Sequence, residues 1–428
     1  MDLPYLLFSD KKGRLYQHPF LRMACSSGNI FKILSFDELI KLPKGSLLFY
    51  LPNRIPVGYD IGKKSFVLLD KFENKPAYAV ASFLIPAYLR LYNPAYLNNK
   101  NSPTLPLWAY TACGYYNGNI YTTAIRIDRR IRQSPRFYDE KKIKKAVIEF
   151  LKAYPKNRLY RHLANCALNY NCLAAKNLFL KRWEAPLPTS MFCNARCIGC
   201  LSYQESDCVA SHQRIKFRPT VEEVFEVMYN HLIKARESIV SFGQGCEGEP
   251  ILNTKLIVEA ITLVRNKTTK GTININTNAS IPKNIEILCK SGIDSFRISL
   301  NSTHKEPYEL YFRPTNYSFY DVLKSIYIAK KYKKFVSINL LVFSGFSDTE
   351  EEINSLIKFV KDTNIDMLQL RNLNIDPDVY LKTIKNYNKS KPKGILYLLN
   401  LLKKNFPNLK IGYFNLPKEK FANFKNVV

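Results

Sequence analysis

Three cysteines crowd into "MFCNARCIGCLSYQ" (191–204): Cys193, Cys197 and Cys200, spaced Cys-x-x-x-Cys-x-x-Cys. Thiolates are soft ligands, and in iron–sulfur clusters each normally holds one iron. Three thiolates on a four-iron cluster leave one iron open to a substrate or cofactor. A structural zinc site needs four closed positions. The chain offers neither a second Cys-x-x-Cys nor a His-x-x-x-His to complete one. Of the other cysteines, Cys25, Cys113, Cys166, Cys172 and Cys289 read as buried thiols, and Cys208 and Cys246 lie nearer the candidate cluster. Cys166 and Cys172, six apart in a helical pattern, face different sides. None of the five histidines, His162 among them, has a partner that suggests a ligand.

Elements must position these thiols. From residue 186 onward, strand-like and helix-like segments alternate. "PLPTSMF" precedes the cysteines, and "SIVSFGQG" (238–245), "GTININTN" (271–278), "SFRISLN" (295–301), "VSINLLVF" (336–343) and "MLQLRNL" (367–373) follow. Between them, Thr220 and Glu223 have capping-box spacing, Gly292 stops a helix, and acids open the helix of "SDTEEEINSLIKFVKDTN". Six strands separated by helices predict repeated βα units and a parallel sheet, a partial (β/α)6 TIM-like barrel.

Side chains alternate across a strand, so Asn274, Asn276 and Asn278 share one face while Ile273 and Ile275 share the other. Arg297, Ser299 and Asn301, then Ser337 and Asn339, then Gln369 and Arg371 repeat the pattern. A closed structural barrel fills its interior with Val, Ile and Leu. A polar interior needs partners, and we expect a cavity for a polar molecule lined by Asn276, Asn278, Asn339, Gln369 and Arg371. Arg371 suits an anionic group, its structural alternative being an internal ion pair with Asp366 or Asp376.

The cysteine motif resembles that of the radical S-adenosylmethionine (radical SAM) superfamily, nearest in look to its molybdenum-cofactor-synthesis and peptide-maturase branch. "GCEGEP" (245–250) is similar to that family's Gly-Gly-Glu-Pro segment, "ISLNS" to its ribose-contacting strand end, and "VFSGFSDTEEE" to its adenine turn. The resemblance covers roughly 186 to 375. It implies that Cys193, Cys197 and Cys200 hold a [4Fe–4S] cluster. Gly248, Glu249, Pro250, Ser299, Asn301 and Gly345 would contact S-adenosylmethionine (SAM). It also implies reductive cleavage of SAM to a 5′-deoxyadenosyl radical that abstracts hydrogen from a polar substrate, with a reductant such as flavodoxin or ferredoxin. Two features depart from the pattern: Gly199 stands where the family carries an aromatic residue, and Glu247 replaces the motif's first glycine. No cysteine follows Cys289, unlike the Cys-rich extension of many peptide maturases.

Composition sets the outer bounds. The chain has 428 residues, 46% hydrophobic and 23% charged, in the range of a globular protein. No apolar stretch reaches the roughly 20 residues of a membrane span. The N-terminal residues lack the small-residue cleavage site of a secretory signal. Ten cysteines then point to reduced thiols in the cytoplasm. The formal net charge of +29 would attract nucleic acid, but the lysines look scattered over polar helix faces and turns. RNA modification therefore stays as an alternative enzymatic reading, and a non-catalytic iron–sulfur binding or regulatory protein as a third. We expect a mixed α+β N-terminal domain at 1–150, with a hairpin at Asn117-Gly118. A helical connector should follow at 151–185, with helices around 139–152 and 156–183. The barrel should span 186–385, and a basic tail with one helix 386–428.

Overall fold

The computed structural model describes residues 3–205, 208–384, 390–423 and 426, so the expected boundary at 385/386 falls outside the described residues. Its centre is a parallel sheet hydrogen-bonded in chain order: β1 (Arg182–Pro186), β2 (Arg236–Phe242), β3 (Thr272–Thr277), β4 (Ser295–Leu300), β5 (Phe335–Val342), β6 (Met367–Asn372) and β7 (Lys410–Gly412). The sheet curls into a TIM-like half-barrel. Outward-facing Ile273, Ile275, Phe296, Ile298, Ile338, Leu368 and Leu370 are fully buried under the crossing helices. Such burial stabilises the sheet by about 25 cal/mol per Å² of apolar surface removed from water.

The inward face is polar, and much of it partners itself. Glu184 Oε1 accepts from Ser241 Oγ at 2.7 Å, from Gln244 at 2.9 Å and from Asn415 at 2.7 Å. Asn274 bridges Ser241 and Asn276 and accepts from Ser295, while Gln369 Nε2 donates to Asn415 Oδ1 at 2.7 Å. Because Glu184 belongs to β1 and Asn415 follows β7, these bonds join the two edges of the curled sheet.

Three expectations need correction. The first strand ends on the first residue of "PLPTSMF" instead of running through it, because Pro188 lacks the N–H a ladder requires. Only Leu187 N continues the pairing, donating to Ser241 O at 2.9 Å. The expected helix at 156–183 is two, Arg158–Leu168 and Leu173–Phe179, broken where Asn171 takes φ +51°, and β1 begins at its end. The half-barrel has seven strands rather than six. A helix, Ile395–Asn405, does form in the C-terminal segment, but three residues beyond it pair with β6 as β7.

The N-terminal part is built on a ten-stranded sheet. Its hairpin, Cys113–Tyr116 with Asn119–Thr122, turns at Asn117 and Gly118, both at positive φ as a type I′ turn needs. This part docks on the loops after β5, β6 and β7. Gly28 N donates to Ser344 O, Arg90 N to Asn372 Oδ1, and Arg90 Nη2 to Leu373 O. Arg54, 2% exposed, pairs at 2.9 Å with Asp376, 3% exposed. Asp128 accepts from the backbone of Tyr413 and Phe414.

Candidate cofactor and substrate site

The cysteine loop is pinned to the helix Lys305–Phe312 rather than hanging free. Arg196 N donates to Phe312 O at 3.0 Å, Ile198 N to Tyr311 O at 3.1 Å, and Thr315 N to Asn194 O at 2.8 Å. Cys193, Cys197 and Cys200 are all partly exposed, and Cys200 Sγ stands 3.6 Å from Arg214 Nη2 and 3.7 Å from Ser202 Oγ. Burial, then the charge of Glu249, pushes the Cys193 thiol up to about 12; burial and the charge of Cys200 push Cys197 well above the usual thiol range. Bound positive charge would reverse both. Gly199 has a local reason: a Cβ there would sit 2.6 Å from the hydroxyl of Tyr311. Tyr311 itself is buried and packs edge-on against Phe312 and Tyr380, so an aromatic ring does approach the third cysteine, from another element.

The segment 245–250 lies directly against the chain entering the cysteine loop. Gly248 N donates to Ser190 O at 2.7 Å and Glu249 N to Phe192 O at 2.8 Å. The approach is so close that a Cβ on Gly248 would lie 2.0 Å from Phe192 O. Glu247, fully buried, accepts from Thr189 N at 2.7 Å, Ser190 N at 3.0 Å and the N–H of Gly243, clamping the turns after β1 and β2 together. Glu249 accepts from Ile251 N, Thr277 Oγ1 and Asn278 N, which ties the motif to the end of β3 and caps the short turn that Pro250 opens. Burial raises both carboxyls to about 7 against the pull of those hydrogen bonds.

The remaining expected site residues divide into two sets. Asn276 donates to Phe242 O, Asn278 to Asn194 Oδ1 at 2.8 Å, and Gln369 to Asn415, so these amides already have protein partners. Asn301 Nδ2 donates to Pro307 O and Tyr380 Oη, and Ser299 Oγ accepts from Asn339 at 3.2 Å. Gly345, at φ +90°, lies against the N-terminal part: a Cβ there would be 1.7 Å from Gly28 N. In contrast, Arg297 Nε, Arg371 Nε and the Asn339 and Asn301 side-chain oxygens are buried without a partner. Arg371 stacks 3.8 Å above the Tyr413 ring. The two aspartates nearest it in sequence are engaged elsewhere, Asp366 with Lys330 and Asp376 with Arg54. Burial, then the charge of Arg371, lowers Arg297 to about 9. Arg297 was legible as a member of the polar face. Arg214 and Tyr311 were not, because only the fold brings them to the cysteines.

Cys193, Cys197 and Cys200 bring three thiols to one partly exposed loop, with no fourth protein ligand beside them in the motif. A structural zinc closes all four of its positions with protein ligands. A cluster gives each thiolate an iron of its own. The donor set fits a cluster, and the orphaned guanidinium and amide groups fit a polar ligand.

The sequence profile of the Radical SAM superfamily matches residues 187–360, which include the three cysteines, the 245–250 segment and β2 to β5. Those residues are a radical SAM domain. Proteins of the radical SAM superfamily bind a [4Fe–4S] cluster and SAM, and its members are enzymes. No curated protein is a significant match. Among solved structures, HydG, a maturase of the [FeFe]-hydrogenase, is 17% identical with a TM-score of 0.39, over 64% of this chain and 66% of its own. Streptococcus suis SuiB bound to S-adenosylmethionine is 17% identical with a TM-score of 0.38, over 65% of this chain and 62% of its own. Methylornithine synthase PylB is 16% identical with a TM-score of 0.37, over 64% and 77%. The chain thus spans less than two thirds of the length of SuiB. No described helix is long and apolar enough to cross a membrane.

Proposed function

We propose that this chain is a radical SAM enzyme acting on a polar, anionic substrate, with Cys193, Cys197 and Cys200 as cluster ligands. When bound, the cluster and SAM supply one-electron cleavage and hydrogen-atom abstraction by the resulting 5′-deoxyadenosyl radical. The protein's part is positioning and exclusion. Gly248 lets the motif backbone lie against Ser190 and Phe192, and Glu249 fixes that backbone to the end of β3. Glu247 holds the loops after β1 and β2 at a constant separation. Arg297 and Arg371 hold positive charge inside the half-barrel, and a carboxylate or phosphate there would satisfy both free Nε groups. Tyr311, Phe343 and Tyr380 are fully buried, packing apolar surface between the cysteine loop and β5 and keeping water from that side.

The single observation that carries this reading is the cysteine loop hydrogen-bonded along the Gly248–Glu249 backbone at the ends of the strands. The test is anaerobic: reconstitute the protein, reduce it, add SAM and quantify 5′-deoxyadenosine against Cys197→Ala. Cluster-dependent product is the expected result. An assembled cluster that fails to bind SAM would overturn the reading.

A further inference from the structure

Away from the cysteine loop, a second set of soft ligands converges. The helix Arg158–Leu168 presents His162 and Cys166 four residues apart, one turn along a single face. Cys246 arrives from the turn that opens the Gly248–Glu249 segment. One ligand atom from each of the three lies within 4.8 Å of the others. The chain gives no sign of this grouping, because only the curl of the half-barrel sets the turn after β2 against the connector helix. His162, which lacked a ligand partner when read along the sequence, gains two.

The spacing suits a single ion. His162 Nε2 stands 3.7 Å from Cys166 Sγ. With Zn–S near 2.3 Å and Zn–N near 2.1 Å, a tetrahedral sulfur–nitrogen edge is about 3.6 Å. Cys166 and Cys246 are 0% and 1% exposed, so both sulfurs are out of reach of bulk water. His162 is only half-buried, and it lines a surface cavity of about 550 Å³ with Arg161, Asn165, Gln213 and Lys216. An ion has an entry there, and the basic rim favours water or an anion as a fourth ligand.

We propose that His162, Cys166 and Cys246 form a second metal site, distinct from the cluster loop, for a thiophilic divalent ion of the zinc class. Binding transfers two thiol protons to solvent and leaves the imidazole neutral. The ion would join the connector helix to the turn whose next residue, Glu247, clamps Thr189 and Ser190. Its role is therefore structural, and it stands independently of the radical SAM reading.

The test uses the full chain with Cys193, Cys197 and Cys200 changed to alanine, so that the cluster thiols contribute nothing. Titration with Co²⁺ should give one ion per chain, with a thiolate-to-cobalt charge-transfer band that Zn²⁺ abolishes. Adding Cys166→Ala or Cys246→Ala should remove the band, and His162→Ala should weaken binding at least roughly tenfold. Because such variants can fail to fold, the unmodified chain is also alkylated with and without Zn²⁺ at a urea concentration that opens both buried thiols to the reagent in the metal-free chain. Protection of Cys166 and Cys246, read by mass spectrometry, is expected. Equal alkylation rates, no cobalt band in the triple variant, or a Cys166–Cys246 disulfide in anaerobically isolated protein would each overturn the proposal.

Discussion

At the scale of single residues, the site depends on close backbone contacts as much as on ligands. Gly248 is the sharpest case, since a methyl group there meets Phe192 O at 2.0 Å and must push the approach to Cys193 aside. Such overpacking costs about 1–3 kcal/mol. Gly248→Ala should therefore assemble its cluster, judged by iron content and absorbance, yet bind SAM roughly 10- to 100-fold more weakly by calorimetry. Wild-type affinity in that variant would remove the motif from the cofactor site. The cysteine spacing was plain in the sequence because its chemistry is local. Gly199 was not, because its reason is the Tyr311 hydroxyl more than a hundred positions away. Glu247 looked like a departure from a glycine motif, but its carboxylate accepts backbone donors that would otherwise be buried unpaired.

At the scale of elements, alternation and caps carried the reading. β3 to β6 were legible because amide and hydroxyl groups alternate with Ile and Leu, and the helix Val221–Lys234 because Thr220 and Glu223 form its capping box. β7 was not legible, since three residues are too few for a period to register. β1 was displaced by a proline that looks like punctuation before a strand but terminates one. Glu223 also ties two elements together: its carboxylate accepts from Arg158 at 2.8 Å and from the Thr220 backbone. Burial opposes its ionisation, but these bonds prevail and hold the carboxyl at about 2, below its ordinary 4.5. A depressed carboxyl stabilises fully above its unfolded value and loses that contribution as pH falls through the folded one. Glu223→Gln should thus cost about 1–2 kcal/mol in urea denaturation at pH 7, the pair being partly solvated. The gap between variant and wild type should close between about pH 4.5 and 2. A gap that stays constant across that range would contradict the assignment.

At the scale of the whole molecule, a buried ion pair helps to hold the N-terminal sheet on the half-barrel. Without Asp376, Arg54 keeps only the longer ion pair to part-exposed Asp378 at 3.5 Å, a loss of about 1.5–3 kcal/mol, the worth of a hydrogen bond to a charged group. Asp376→Ala should lower the melting temperature by that equivalent, and adding Arg54→Met should restore part of it. Equal melting of the single variant and wild type would show that the interface does not rest on this contact. None of this was legible from the sequence, because Arg54 and Asp376 belong to segments with no shared pattern.

The contact between Gly28 and Gly345 has a consequence for descent. The exclusion is one-sided: a Cβ on Gly345 would meet Gly28 N at 1.7 Å, whereas one on Gly28 would stand 3.3 Å from Gly345 O and is disfavoured instead by its φ of +58°. The second glycine is therefore the one whose freedom depends on the first segment being present. Among relatives, lineages that retain the N-terminal sheet should keep a glycine at the second position, while lineages that have shed it are free of that steric limit. A relative that keeps the sheet but carries a bulky residue there would have to dock its domains in another way.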